Sequence, residues 1–340
     1  MSEPTVSVII PCYNEQNTIH LLLNALWEQV YPREKIEIVI ADGMSTDQTR
    51  QKIAEFQQAH PELVISIINN LKRTIPAALN RAIEVARGEI IVRLDAHSMP
   101  QPDYVPRCVD ALESNLGQNV GGVWEIRPGG KRKIARAIAV AAAHPLGVGD
   151  ARYRVGGESQ AVDTVPFGSF RKTLLEEVGS FDETLLTNED YEFNVRIRQA
   201  GHTVWLDPNI RSVYFARSTL AGLARQYWRY GYWKLRMLLR YPDTFRWRQL
   251  SGAFVLTWLV LGLLSIWFAL ARWLLLAEAV VYASALLFAG IQSAYHRRDL
   301  ALVLRVPLAI AVMHFSWGGA FLWSLLEYLM GVYFLRRKKI

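Results

Sequence analysis

A chain of 340 residues that is 51% apolar, carries a formal charge of +7 and contains two cysteines is neither a disulfide-stapled secreted domain nor a disordered polyelectrolyte. Its mean hydropathy of +0.10 is too low for a membrane protein throughout and implies a soluble part joined to a membrane part. Cys12 and Cys108 supply no disulfide framework, and Met1-Ser2-Glu3-Pro4 lacks the basic and apolar regions of a secretory signal, so a reduced cytosolic compartment is expected for the soluble part.

From the start of the chain, strand and helix patterns alternate. Val6 to Ile10 is a β-branched run, Glu15 to Gln29 has helical spacing at Ile19, Leu22, Leu23 and Leu26, and Ile36 to Ala41 is a second short apolar run. Thr46 to Phe56 reads as a helix, Leu63 to Ile68 as a strand, Pro76 to Ala86 as a helix and Glu89 to Leu94 as the fourth strand. Repeated βα units predict an α/β fold with a mostly parallel sheet and helices on both faces, its strand ends sharing one rim. In such sheets ligands bind beyond the carboxyl ends of the strands.

Three of those ends carry polar residues: Pro11-Cys12-Tyr13-Asn14-Glu15, Asp42-Gly43-Met44-Ser45-Thr46-Asp47 and Asp95-Ala96-His97. If the fourth strand continues, Asp95 and His97 point to one side, as two metal ligands would. A turn Asp beside a solvent-facing His accounts for the isolated pair as well, and Asp47 reads as a helix cap.

These segments together resemble inverting glycosyltransferase family 2, the nucleotide-sugar transferases of the GT-A fold, over Val6 to about Trp233. Arg73-Thr74-Ile75-Pro76-Ala77-Ala78-Leu79-Asn80, Ala86-Arg87-Gly88-Glu89 and Arg93-Leu94-Asp95-Ala96-His97 are similar to its succinoglycan glucosyltransferase-like, membrane-anchored branch, which carries Asp-Ala-His where most members have Asp-x-Asp. The resemblance implies a nucleotide-sugar donor, commonly UDP-linked, with Asp42 on the base and Glu15 and the Pro11 to Tyr13 backbone near base and ribose. It also implies a divalent metal (Mn²⁺ or Mg²⁺) on Asp95, with His97 as its companion, and makes Lys72 and Arg73 phosphate or base contacts, although a solvated turn explains those two equally. Imidazole in place of a hard carboxylate favours Mn²⁺.

On the acceptor side, Val165-Pro166-Phe167-Gly168-Ser169-Phe170 resembles the small-residue segment lining the acceptor pocket, placing Gly168 and Ser169 there. Thr187-Asn188-Glu189-Asp190 opens a helix continuing through Val195, Ile197 and Arg198. The helix dipole alone favours acids in a first turn; the family's Glu-Asp motif makes Glu189 an acceptor-side residue and Asp190 the general base. Gln226-Tyr227-Trp228-Arg229-Tyr230 resembles the Gln-x-x-Arg-Trp signature with Tyr230 replacing Trp. Gln226 and Arg229 share a helix face there, and Arg229 is suited to a diphosphate. The replacement leaves the acceptor role of Tyr230 open, and single addition is expected rather than polymerisation.

Arg217 to Gln249 interleaves basic and aromatic residues. Next to a membrane span this reads as interfacial helices on an anionic leaflet, and not as a nucleic-acid surface. Lys131 to Ala143 is either a second such element or a helix with an Ala-rich packing face. The expected organisation is a cytosolic catalytic domain over 1–216, interfacial helices over 217–249 and a transmembrane region over 250–340. Spans are expected at about 250–271 and 273–294, with Arg272 alone in their connection and basic residues at Arg246, Arg248, His296, Arg297 and Arg298 on the cytoplasmic flanks. Segment 300–335 holds Arg305, Pro307, His314 and Gly318-Gly319 before the tail Arg336-Arg337-Lys338-Lys339. It is expected to be re-entrant, broken or partly interfacial, a third full span being the alternative.

The combined expectation is a multi-pass enzyme of the plasma (inner) membrane that transfers a hexose such as glucose. Its acceptor is a lipid-linked saccharide, a polysaccharide precursor or a polyprenyl carrier, and its partners are membrane lipids and other polysaccharide-assembly proteins. A polyprenyl-phosphate glycosyltransferase and a non-catalytic nucleotide-sugar-binding scaffold are the alternatives.

Overall fold

The computed structural model describes residues 4–246 and 249–331; Trp247, Arg248 and the basic tail from Arg336 to Lys339 lie outside the described residues. The chain divides into two compact units, Met1–Glu125 with Val155–Tyr214, and Ile126–Arg154 with Phe215–Ile340. The division differs from a single break near residue 216, because segment 126–154 belongs with the membrane-proximal helices.

The first unit is built on strands β1 (Val6–Cys12), β2 (Ile36–Asp42), β3 (Val64–Asn69) and β4 (Ile90–Arg93), all parallel, in the order β3-β2-β1-β4. β1, β2 and β4 are near-continuous runs of Val and Ile because helices cover both faces. Helices α1 (Ile19–Trp27), α2 (Thr49–Ala59) and α3 (Ile75–Val85) are the crossovers, and α4 (Tyr104–Glu113) follows β4 and the two-residue β5 (Met99–Pro100). Val6, Val8, Ile10 and Cys12 share one core with Ile19, Leu22, Leu23 and Leu26 of α1 and with Tyr104, Val105, Cys108 and Val109 of α4. The step from β3 across β1 to β4 makes a switch point between β1 and β4, where the polypeptide leaves the sheet on both sides.

Further strands extend the sheet beyond β4: β6 (Asn119–Pro128), the short β7 (Gln160–Ala161), β8 (Ser169–Arg171) and β9 (Val204–Ala216). β8 runs antiparallel to both β4 and β6. The five-residue α8 (Leu174–Val178) and α9 (Glu189–Gln199) complete this unit, while the helices between β6 and β7 belong mostly to the second unit. Two expected helices start later than their apolar spacing indicates. Glu15 to Thr18 is a turn whose Thr18 and Ile19 N–H groups donate to the Glu15 carbonyl at 3.0 and 2.9 Å, and α2 begins at Thr49 because Asp47 Oδ1 accepts the Thr49 N–H at 3.0 Å.

The second unit opens with those connecting helices, α5 (Lys133–Ala141), α6 (Pro145–Val148) and α7 (Arg152–Val155), the last straddling the unit boundary. It continues with α10 (Leu220–Arg240), α11 (Ser251–Leu264), α12 (Ala269–Arg297) and α13 (Leu302–Leu329). Of the two readings of Lys131 to Ala143, the structure gives the packing face: Ala135, Ala137, Ile138, Ala139, Val140 and Ala141 are buried, and α5 lies against α13.

α12 and α13 are long and apolar enough to cross a membrane, and side chains such as Leu270, Phe288 and Leu304 face outward. The other membrane expectations need correction. α11 has 14 residues, about 21 Å at 1.5 Å per residue, which falls short of a hydrocarbon core of roughly 30 Å. Arg272 lies in the first turn of α12 and not in a connection, and its Nε donates to the Ser265 carbonyl at 2.6 Å, satisfying the end of α11.

The segment expected to be broken is one continuous helix, α13, through residue 329. Pro307 sits in its second turn with the ring against Gly290 of α12, where an added Cβ would meet Pro307 Cδ at 2.8 Å. Gly318 does not break the helix either; it admits the Ser251 carbonyl, which would stand 2.4 Å from a Cβ.

Candidate active site

At the switch point, β4 ends at Arg93 and residues 95–98 form a turn closed by the Ser98 N–H on the Asp95 carbonyl at 2.9 Å. Strand alternation therefore does not carry Asp95 and His97 to one side as their spacing suggests. His97 Nδ1 lies 3.1 Å from Glu15 Oε1, joining the ends of β1 and β4, while Thr18 Oγ1 also donates to Glu15. Glu15 is thus engaged with both His97 and Thr18.

The Asp95 carboxylate is a quarter exposed. Oδ1 is 3.4 Å from Arg93 Nη2, and Oδ2 makes no hydrogen bond among the described residues. No group of three or more His, Cys, Asp or Glu that could hold a metal ion is present among the described residues.

Asp42, expected on the base, lies within a closed network of hydrogen bonds. It is fully buried, Oδ1 accepting from Ser45 Oγ at 2.5 Å and Oδ2 from the Ser45 N–H at 3.1 Å and Arg50 Nε at 2.6 Å. Arg50 also reaches Asn69 Oδ1. What faces solvent nearby is Tyr13, 46% exposed, with the Arg73 guanidinium 6.0 Å from its ring centroid. Two residues singled out separately in the sequence are brought together here, a flat aromatic and a cation. Lys72 is instead committed to Glu183 Oε2 at 2.6 Å. Pro11 is the penultimate residue of β1, opposite Ala41.

Phe167 and Gly168 both have positive φ, 65° and 52°, and a Cβ on Gly168 would stand 2.6 Å from Asn119 Oδ1, so only glycine fits this bend. The bend lets the Gly168 carbonyl accept the Arg93 N–H at 3.1 Å. Ser169, expected to line an acceptor pocket, is wholly buried within β8 between Val92 and Val120.

The start of α9 supplies the other acids. Asp190 is partly buried, and Oδ1 accepts the Tyr191 N–H at 2.8 Å, the one hydrogen bond of its carboxylate among the described residues. Glu189 is buried at 6% exposure and accepts from Arg93 Nη2 at 2.8 Å. Burial pushes Glu189 up, to about 7, with Arg93 pulling the other way and Asp190 adding to the rise. Burial also opposes charge on Arg93, but Glu189, Asp95 and Asp190 outweigh it and hold the guanidinium charged. Arg93 is therefore the fixed charge of this group. Cys12 and Cys108 take no part as nucleophiles, because burial raises both thiols, Cys108 to about 12.

Arg93 has no role in the sequence motifs, yet a signal for it exists: an arginine inside the apolar run Ile90-Ile91-Val92-Arg93-Leu94 must find a buried partner. Gln226, Arg229 and Tyr230 belong to the second unit. There Gln226 Nε2 donates to the Tyr230 hydroxyl at 2.8 Å along α10, and Arg229 is exposed.

Residues 7–179 match the family described as Glycosyl transferase family 2. The chain belongs to this family. It is 30% identical to the succinoglycan biosynthesis protein ExoA of Rhizobium meliloti (strain 1021) over 94% of this chain and 95% of that one. It is also 31% identical to a dolichyl N-acetyl-alpha-D-glucosaminyl phosphate 3-beta-D-2,3-diacetamido-2,3-dideoxy-beta-D-glucuronosyltransferase of Methanococcus voltae, over 66% of this chain and 71% of the relative. Among solved structures, the mannosyltransferase PcManGT from Pyrobaculum calidifontis, in complex with GDP-Man and Mn²⁺, superimposes with a TM-score of 0.62 at 22% identity, covering 92% of this chain and 88% of its own. This likeness establishes the fold: the mixed sheet described above is the GT-A arrangement. As a member of family 2 the protein is a glycosyltransferase that draws its sugar from a nucleotide sugar.

Proposed function

We propose that the protein is an inverting hexosyltransferase using a nucleotide sugar, UDP-linked, to extend a lipid-linked or polysaccharide-precursor acceptor at the cytoplasmic face of the plasma (inner) membrane. The observation that carries this reading is Asp190, a carboxylate that among the described residues is bound only by an N–H of its own helix, next in the chain to the buried Glu189 that Arg93 connects to Asp95. Such a group can take the proton from an attacking hydroxyl. Direct attack at the anomeric carbon, opposite the departing nucleoside diphosphate, inverts its configuration in one step.

Tyr13 and Arg73 offer a surface for the base and a cation for the phosphates, and Asp42 acts from below by holding Ser45 and Arg50. Asp95 and His97, the latter oriented through Nδ1 by Glu15, would hold Mn²⁺ or Mg²⁺ together with the diphosphate oxygens, and that ion would neutralise charge on the leaving group. For Gln226, Arg229 and Tyr230 the sequence motif alone supports a diphosphate or acceptor role.

Membrane association is supported by α12 and α13, two helices long and apolar enough to cross a membrane. Arg136 pairs with Asp299 at 3.1 Å, so the basic start of α5 lies beside the turn bearing Arg297 and Arg298. The rhizobial and methanococcal relatives, named for polysaccharide and dolichyl-linked products, support an acceptor of that kind.

The test is a panel of UDP- and GDP-sugars with Mg²⁺ or Mn²⁺, incubated with full-length enzyme and membrane lipid extract. One donor is expected to give a lipid product heavier by one hexose on mass analysis. A panel with no sugar added from any donor overturns the proposal.

A further inference from the structure

We propose that Arg93 is a positioning residue that holds the donor-side carboxylate Asp95 and the acceptor-side helix start at Glu189 in one fixed arrangement, an assignment that rests on the transferase reading above. Two motifs 94 residues apart, at Asp95 and Glu189, meet on one guanidinium: Nη2 lies 2.8 Å from Glu189 Oε1 and 3.4 Å from Asp95 Oδ1.

The guanidinium has little freedom to move. Arg93 is 4% exposed on a strand paired on both sides, opposite Ile9 of β1, and its own N–H is bound to the Gly168 carbonyl at 3.1 Å. The bend that requires glycine at 168 thus helps to set the backbone from which Arg93 reaches the acids.

Fold stability alone does not account for this residue. Nε and Nη1 are buried without a hydrogen-bond partner among the described residues, a cost that an apolar side chain would avoid. Replacing a buried ion pair with apolar groups of similar volume is often neutral or stabilising, so a purely structural position has no need of an arginine here. What arginine adds is a charge that burial does not remove, whereas a buried ammonium loses its proton readily, and here one nitrogen of the guanidinium, Nη2, faces both carboxylates. Three acids, Asp95, Glu189 and Asp190, lie within its electrostatic reach, leaving a net negative site suited to a cation while preventing the acids from separating. An arginine placed in this way fixes where the leaving-group end and the proton-accepting end of one displacement stand relative to each other.

The test compares full-length wild type with Arg93→Lys and with the double variant Arg93→Met/Glu189→Gln, which removes both members of the buried pair together. Mn²⁺ affinity is measured by electron paramagnetic resonance in the presence of UDP and, separately, GDP; thermal unfolding and the steady-state constants are measured in parallel. The expected result is that both variants fold, lose at least about 10-fold in Mn²⁺ affinity and lose about 100-fold in kcat with little change in acceptor KM. Wild-type Mn²⁺ affinity in either folded variant overturns the proposal, since Arg93 would then only neutralise Glu189. Failure of both variants to fold, or no Mn²⁺ binding by the wild type with either nucleotide, overturns it as well. A wild type that binds Mn²⁺ but transfers no sugar instead counts against the transferase reading, and the affinity comparison still decides the role of Arg93.

Discussion

The two units assemble their polar groups by different means. In the first, the sheet collects charges from distant parts of the chain: Arg93 with Glu189, Glu15 with His97, Glu37 with Ser7 and Arg87. In the second, helix periodicity also pairs neighbours four residues apart, as in Gln226 with Tyr230, Arg236 with Tyr232 and Trp323 with Glu327, and the Tyr232 hydroxyl joins two of these pairs by donating to Glu327 at 2.6 Å. Glycines then let the helices close on each other. A β-sheet edge can gather a reactive constellation from several loops, whereas packed helices use their polar pairs mainly to fix register.

Asp190→Asn is the sharpest way to break this contrast. It is expected to lower kcat by about 10²–10⁴-fold while leaving donor affinity intact, as steady-state rates and nucleotide-binding titration would show. Full activity in that variant would favour a lipid-phosphate acceptor, which has little need of a base.

Next in size is His97→Ala, for which metal titration should show about 10-fold or greater loss of Mn²⁺ affinity and a smaller change for Mg²⁺. Equal activity with both ions, unchanged in the variant, would make His97 a structural partner of Glu15 alone. In the second unit, Gly231→Ala would bring a Cβ to 2.1 Å from the Trp317 carbonyl oxygen and force α10 and α13 apart. Overpacking of this kind costs about 1–3 kcal/mol, so a lower melting temperature in detergent is expected, without any change in Mn²⁺ affinity.

The smallest effect belongs to Glu37→Gln, about 1 kcal/mol. Burial alone would raise the Glu37 carboxyl, but hydrogen bonds from Ser7 and Arg87 hold it below its ordinary 4.5. A depressed carboxyl stabilises the fold above its unfolded value and loses that contribution as pH falls through the folded one. The difference in melting temperature between wild type and variant should therefore be present at pH 7 and shrink below about pH 4. A constant difference across that range would mean that shape, not charge, matters at this position.

Much of the first unit is legible because short-range rules govern it. Apolar runs locate β1, β2 and β4, and the spacing of Ile19, Leu22, Leu23 and Leu26 locates α1. The rim residues Tyr13, Arg73 and Asp95 are visible in the same way, since the end of a strand can be read from where its apolar run stops. Asp42 was harder to judge: its place on the rim follows from the chain, but Arg50 and Ser45 close over its carboxylate and leave it no exposure. In the second unit, Pro307 and Gly318 look like helix breakers until Gly290 and Ser251 supply the surfaces they fit.

The linear chain determined the alternation of strands and helices, the rim that carries the chemistry and the apolar character of the last ninety residues, because periodicity and hydropathy are properties of neighbours. Only the tertiary structure decided which charges meet. Arg93 reaches Glu189 across 96 residues, Glu15 turns to His97 across 82, and segment 126–154 joins the helices at the far end of the chain. Such pairings depend on strand order and on which groups lose water together, and neither is written in the spacing of residues along the chain.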